Sequence, residues 1–335
     1  MKSAHFDEGR TRAGTTRRTG IGDLRPAPGQ RAHGFVRIPG IEPAWEMPAW
    51  VVRGAEDGPT LAVTAGVHAA EYPPIAAATR FARGLDPASL RGAVMVVSLV
   101  NRPGFFQRSL YVNPVDGRNL NRCFPGRPDG APAERVADFL MREVIAGADA
   151  YVDLHCGDLV EALVPFGGYR LTGDDELDER SRRLVDAFGL PHVVARPKDD
   201  ATGTAYAAAA LAGVPAALAE IGQQGVFEEA SVAGHLAGLR NVLALMGMVQ
   251  DEYVAPPPPR RHGRSAWARA TADAMWLPAV ACGDEVVEGQ DVGELLDVFG
   301  EPIERVTAPA SGPVIFLVTS LAVPEGGPLM GVATA

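Results

Sequence analysis

Short apolar runs alternate with longer stretches of helical period through most of this chain. Residues 60–65, 93–100, 150–154 and 215–219 read as strands, and 75–83, 132–145, 177–188 and 231–248 as helices. The strand runs lack the strict alternation of a half-exposed strand and suit strands covered on both faces. The pattern predicts an α/β fold with a mixed, mostly parallel central sheet and helices on both faces. The first forty residues are polar and punctuated by Gly and Pro, so regular structure is expected to begin near residues 49–53.

The periodicity breaks at four consecutive prolines, 256–259, followed by Arg260, Arg261, His262 and Gly263. Beyond them no helical period returns. Extended segments are separated by turns such as Cys282-Gly283-Asp284 and Glu288-Gly289-Gln290, the signature of a small all-β unit. The expected division is an arm and lead-in over 1–48, an α/β catalytic domain over 49–255, a Pro-rich linker over 256–263 and an all-β domain over 264–335.

Composition narrows the function classes. The chain has 335 residues, 47% hydrophobic and 21% charged, within the ordinary globular range. No window approaches the roughly 18 to 20 apolar residues of a membrane helix. The net charge of −10 disfavours nucleic acid and anionic membrane as partners. Arg10, Arg12, Arg17 and Arg18 form the one basic arm, read as a loosely ordered terminus rather than a nucleic-acid site. No apolar export core follows Arg17-Arg18, and Cys123, Cys156 and Cys282 are too few and too scattered for a disulfide framework. A soluble, cytoplasmic protein with reduced thiols is expected.

Four segments carry candidate chemistry. His68-Ala-Ala-Glu71 follows a strand and precedes Pro73-Pro74, which places an imidazole and a carboxylate in a strand-to-helix turn, where they can converge on one ion or cap the turn. Asp153-Leu-His155-Cys-Gly157 ends a strand in a histidine whose neighbour two residues back lies on the same face. His155 is therefore either a supported metal ligand or a hydrogen-bonded core histidine. The stretch 108–126, with Arg108, Asn113, Arg118, Asn119, Asn121 and Arg122, is too dense in Arg, Asn, Gly and Pro for regular structure; it is a carboxylate-gripping loop or a solvated one. Glu220 ends a small-residue strand, an acid that needs a partner or a task there. His192, His235 and His262 have no partner at ligand spacing and read as structural.

In this order the four segments resemble the succinylglutamate desuccinylase/aspartoacylase family, the acylase branch of the zinc carboxypeptidase-like proteins. The resemblance runs from about Val51 to the C-terminus. It implies one Zn²⁺ per chain, held by His68, Glu71 and His155 with a fourth position for water. It implies Glu220 as the general base, Asn121 and Arg122 as the grip on a substrate carboxylate, and Arg108, with Arg118 as its rival, as the arginine that polarises the scissile carbonyl. The activity implied is hydrolysis of the amide bond of an N-acyl amino acid carrying a carboxylate. A zinc carboxypeptidase acting on short peptides is the alternative, disfavoured by the appended β domain, which narrows access. A non-enzymatic binding module would have lost a ligand or the base, and all four residues are present.

Turns in the β domain, such as Gly283 to Gln290, resemble those of biotinyl and lipoyl carriers. A carrier needs a modifiable lysine, and both lysines of the chain, Lys2 and Lys198, lie upstream. The domain is expected instead to cover the active-site mouth or to build a homo-oligomer interface.

Overall fold

The structure, a computed structural model, describes residues 18–42, 44–200 and 203–335. Arg10, Arg12 and Arg17 of the basic arm lie outside the described residues. Arg18 is paired with Glu143 at 2.7 Å, and its N–H donates to Gly147 O at 3.1 Å. Among the described residues no helix is long and apolar enough to cross a membrane.

The main body is a nine-stranded sheet. Its strands are β1 (Gln30–Ile38), β2 (Trp45–Arg53), β3 (Glu56–Ala65), β4 (Arg91–Val97), β5 (Ala150–His155), β7 (Phe166–Arg170), β8 (His192–Arg196), β9 (Ala216–Glu220) and β10 (Arg260–His262), and a short strand β6 (Glu161–Leu163) branches off elsewhere. The order is β1-β2-β4-β3-β5-β9-β7-β8-β10. The centre, β4-β3-β5-β9, is parallel; β1, β2 and β7 join antiparallel to their inner neighbours.

Helices cover both faces. On one face lie α1 (Tyr72–Gly84), α4 (Asp175–Asp186) and α6 (Glu229–Leu245), through Ala78, Phe81, Leu184, Val185, Leu239 and Val242. On the other lie α3 (Pro132–Leu140) and α5 (Ala205–Leu211), through Val136, Leu140, Ala207 and Ala210. A short α2 (Arg102–Gln107) follows β4. The central strands are therefore buried on both sides, which is why their sequences are nearly continuous runs of Val, Ala and Leu.

Regular structure starts earlier than residues 49–53. β1 and the first half of β2 lie in the segment expected as an arm and lead-in. β1 is an edge strand whose residues Gln30 to Phe35 are exposed or half-buried, so it carries Arg, His and Gly rather than an apolar period. Trp45, fully buried, ties β2 to the centre by donating from Nε1 to Val100 O at 2.8 Å. The expected linker also differs: Arg260–His262 is strand β10, parallel to β8, and closes the far edge of the main sheet.

That pairing brings two histidines together. His192 Nδ1 lies 3.1 Å from His262 Nε2, with the rings stacked, so these two are each other's partners across 70 residues. His235, in α6, donates from Nε2 to Ile221 O at 3.1 Å.

The C-terminal unit has two small sheets built from β11 (Arg264–Arg269), β12 (Ala274–Pro278), β13 (Glu285–Val286), β14 (Asp291–Leu296), β15 (Pro302–Thr307), β16 (Gly312–Val318), β17 (Ala322–Val323) and β18 (Pro328–Thr334). One runs β11-β18-β16-β13 and the other β15-β14-β12-β17, around Trp276, Leu295, Val314, Leu329 and Val332. Strand β6, from the main body, pairs antiparallel with β16. The C-terminal sheet is thus stitched to the segment that follows His155.

Burial, the neighbouring histidine and Arg260 push His262 down to about 4, and burial lowers His192 as well. Below the ordinary value of about 6.5 the unfolded chain takes up protons that the folded pair refuses, so stability is lost as pH falls from there toward 4 and is unaffected above it. Thermal melts between about pH 7 and about pH 4.5 are expected to decline less steeply for His262→Phe than for the parent chain. Equal slopes would contradict this role of the pair.

Candidate metal and catalytic site

Three adjacent parallel strands, β3, β5 and β9, deliver the site residues from their carboxyl ends, where ligands collect in open α/β sheets. Register does the placing: Thr64 lies opposite Asp153, and His155 lies opposite Glu220. His68 and Glu71 sit in the turn between β3 and α1. Pro73 and Pro74 occupy the first helical turn and bring no N–H groups that need capping. Glu71 stands at the N-cap position but makes no side-chain cap hydrogen bond. Its carboxylate is free for another use.

That use is to join two imidazoles. Glu71 Oε1 lies 2.7 Å from His68 Nδ1, and Glu71 Oε2 lies 2.9 Å from His155 Nδ1. One ligand atom from each of the three residues falls within 4.8 Å of the others. Glu71 and His155 are almost wholly buried. His68 Nε2 faces Asn119 Oδ1 at 3.1 Å. An Nε2–H donated to that oxygen leaves the Nδ1 lone pair pointing at the carboxylate.

Electron pairs on Nδ1 and on a carboxylate oxygen repel unless a cation lies among them. The donor set, two nitrogens and one carboxylate, suits borderline-soft Zn²⁺. The residues present therefore fit a bound metal. The same need appears in the titration of the bare side chains. Burial opposes ionising Glu71, yet the two histidines pull it down to about 2; burial opposes charging His68 and His155, yet Glu71 raises both.

The surroundings hold these groups. Asp153 accepts from Thr64 Oγ1 at 2.8 Å, and its other oxygen lies 3.3 Å from His155 Nε2. Cys156 N–H donates to Glu71 Oε2 at 3.1 Å. Glu220 is pushed well up by burial, against the pull of His155 and with repulsion from Glu71 and Glu161 adding to the rise. Its Oε2 is buried and makes no hydrogen bond. A carboxylate so deprived of solvent and in register beside His155 is suited to receive a proton.

The loop expected over 108–126 is irregular apart from one turn of 3₁₀ helix at Leu120–Arg122. It brings Asn121 to the cluster: Asn121 Nδ2 lies 3.4 Å from His155 Nε2, and Oδ1 accepts from Ala205 N at 3.0 Å, which pins the start of α5 to the site. Arg122 follows as an exposed residue, its Nη1 donating to Asn121 O at 2.7 Å. Arg118 is exposed and turned to Glu134 at 3.3 Å. Arg108 is exposed at the left-handed end of α2. Among the described residues neither Arg108 nor Arg118 forms a hydrogen bond or ion pair with the cluster.

Three residues around the site were not singled out for it by sequence reasoning: Tyr111, Asp158 and Glu161. Tyr111, with φ of 57°, makes a T-shaped contact with His68, the ring centroids 6.4 Å apart. Its N–H donates to Asp158 Oδ2 at 2.9 Å, and burial raises the pKa of its hydroxyl, with Glu161 adding to the rise. Glu161 Oε2 accepts from Asp158 N at 2.8 Å, and burial pushes this acid up to about 7. Gly157 allows the fold-back, because a Cβ there would lie 2.3 Å from Glu161 O. The spacing Asp158-x-x-Glu161 behind a glycine was the one available signal.

With this geometry, likeness to known proteins becomes informative. Residues 57–246 match the family described as the succinylglutamate desuccinylase/aspartoacylase catalytic domain. The chain belongs to this family. It is therefore a member of a deacylase family, and its fold is the family's. It is 30% identical over 275 residues to the N-alpha-acetyl-L-2,4-diaminobutyric acid deacetylase of Halomonas elongata, covering 79% of this chain and 80% of that one. Among solved structures it resembles the ectoine utilization protein EutE of Ruegeria pomeroyi, with a TM-score of 0.83 at 25% identity over 95% of this chain and 100% of that one. It also resembles a succinylglutamate desuccinylase/aspartoacylase from Rhodobacter sphaeroides, with a TM-score of 0.77 at 28% identity over 90% and 95% of the two chains.

Asp153 steadies His155 without reaching the ligand atoms. Asp153→Asn is expected to weaken binding of a divalent metal by about 10- to 100-fold in a competition titration. Unchanged affinity would remove Asp153 from the support of the site.

Proposed function

We propose that this chain is a zinc-dependent amidohydrolase that cleaves the amide bond of an N-acyl amino acid bearing a free carboxylate. The observation that supports it most is that His68 Nδ1 and His155 Nδ1 flank the two oxygens of Glu71, with ligand atoms of the three residues within 4.8 Å of one another and Glu220 in register beside His155. His68, Glu71 and His155 would hold the zinc. When bound it supplies Lewis acidity to the amide carbonyl and brings the pKa of water toward about 7.

The rest follows from the chain's own groups. Asn121 and Arg122 bind the substrate carboxylate, with Arg122 offering a fork of donors to two oxygens. Glu220 takes a proton from the attacking water and carries it to the leaving amine, so that the products are a carboxylate and an amine. Burial holds its proton affinity high, which favours that shuttle near neutral pH. An arginine stabilises the developing oxyanion. With Arg118 engaged by Glu134, we assign this role to Arg108. The relatives from Halomonas and Ruegeria support the small-molecule reading over a peptidase. A cytoplasmic location and a C-terminal domain that begins after the prolines at 256–259 belong to the same proposal.

Two substitutions test it. Glu220→Gln is expected to keep its metal and to lose at least about 10³-fold in kcat on an N-acetyl amino acid. Survival of activity would exclude Glu220 as the base. Arg122→Lys is expected to raise KM about 10-fold or more, with a smaller change in kcat, because a point charge replaces a bidentate fork. A substrate panel in which only peptides of three or more residues are cleaved would turn the assignment to a carboxypeptidase.

A further inference from the structure

A general base works only if its carboxylate is aimed, and hydrogen bonds to the carboxylate are the ordinary means of aiming it. At Glu220 one of the two oxygens, Oε2, is buried and has no partner. On the amidohydrolase reading, on which this inference rests, the backbone at the end of β9 must therefore carry more of that task.

That backbone is clamped just past the strand. Ile221 N donates to His155 O at 3.1 Å, and Gly157 N donates to Gly222 O at 3.0 Å, so β5 and β9 stay joined beyond His155 and Glu220. The Ile221 carbonyl is met by helix α6, where His235 Nε2 lies 3.1 Å from it. The helix is itself tied to α1, which opens from the His68–Glu71 turn: Arg80 donates to both oxygens of Glu229, at 2.5 and 2.9 Å.

One face of α6 bears on this point. Ser231, Gly234 and His235 are neighbours on the helix surface; a Cβ on Gly234 would lie 3.2 Å from Ile221 Cγ2, and one on Gly222 would lie 3.1 Å from Ser231 Oγ. His235 interrupts an apolar stripe that continues with Leu239 and Val242. It is fully buried, and its Nδ1 has no partner. A polar ring in such a place is costly unless it has a task. Burial pushes it down to about 4, so at neutral pH the ring is uncharged and carries one proton. A carbonyl only accepts, which puts that proton on Nε2. With Nδ1 unpartnered, the hydrogen bonding of the ring is spent on Ile221 O.

We propose that His235 is a positioning residue for the hydrolysis: by donating to Ile221 O it fixes the peptide that follows Glu220, and so aims the Glu220 carboxylate beside His155. An apolar residue of the same length would fill the space and leave Ile221 O without its donor, so the end of β9 would shift to find another. A shift of about 1 Å in a reacting group costs as much as about 10²-fold in rate. The His155 ring does not depend on this bond, because Glu71 and Asp153 hold its two nitrogens. Turnover and metal affinity are therefore separable at His235.

The test compares two side chains of equal length, one with a donor and one without. His235→Gln puts an amide nitrogen where Nε2 stands, and His235→Met puts a methyl group there. On an N-acetyl amino acid with zinc-loaded enzyme, His235→Met is expected to lower kcat about 10-fold or more, with KM within about 2-fold and zinc affinity in a competition titration within about 3-fold. His235→Gln is expected to return kcat to within about 3-fold of the unmodified enzyme. Unchanged kcat in His235→Met, equal kcat in the two variants, or zinc affinity falling in step with kcat overturns this inference alone. No turnover by the unmodified zinc-loaded enzyme overturns the amidohydrolase reading and this inference with it. Should His235→Met fail to fold, His235→Asn, whose amide stops one bond short of Ile221 O, takes its place. Its kcat is expected to fall below that of His235→Gln, and equal values would overturn the inference.

Discussion

A single buried carboxylate, that of Glu71, lies between the Nδ1 atoms of two histidines from different strands' ends, and the site depends on that arrangement. Removing such an acid from water costs several kcal/mol unless opposite charge surrounds it. The sequence around Glu71 keeps it available. Prolines open α1 without N–H groups to cap, so the helix makes no claim on the carboxylate. The parallel register of β3, β5 and β9 then brings Asp153, His155 and Glu220 to the same edge. What the carboxylate and the two imidazoles share is an appetite for a cation, and a divalent metal meets it with the fewest protons to place.

The fold around this point divides the work between rigidity and access. Central strands buried on both faces fix Asp153, His155 and Glu220 relative to one another, because a sheet of this kind has no slack in register. The long loop that carries Asn121 and Arg122 supplies polar groups no strand could present. It is pinned by Asn121 to the start of α5, at Ala205 N. Beyond the main sheet, β6 leaves the body to become a strand of the C-terminal sheet. The segment that follows His155 is thereby held from both sides.

The parts of this arrangement legible in the sequence are those in which a local pattern ends in a chemically distinctive residue. Apolar runs stopping at His155 and Glu220, and the turn from His68 to Glu71 before two prolines, needed no partner to be noticed. The resemblance of the 108–126 loop to a known family supplied roles for Asn121 and Arg122. What stayed hidden depends on contacts between distant segments. Tyr111 and Asp158 are 47 residues apart and meet through a backbone N–H. Glu161 looks like an ordinary charged residue until its pairing with Val318 of β16 and its burial are known. β1 and β10 escaped notice for another reason: edge strands are selected to be polar, so they carry no apolar period.

The central claim is that a divalent metal at His68, Glu71 and His155 is what the site is built for. Its most direct measurement is metal removal by chelation followed by back-titration with zinc, with hydrolysis of an N-acetyl amino acid as the readout. The account predicts activity lost with the metal and restored in proportion to added zinc, saturating at about one equivalent per chain. Full activity in protein holding less than about a tenth of an equivalent of any divalent metal would contradict it.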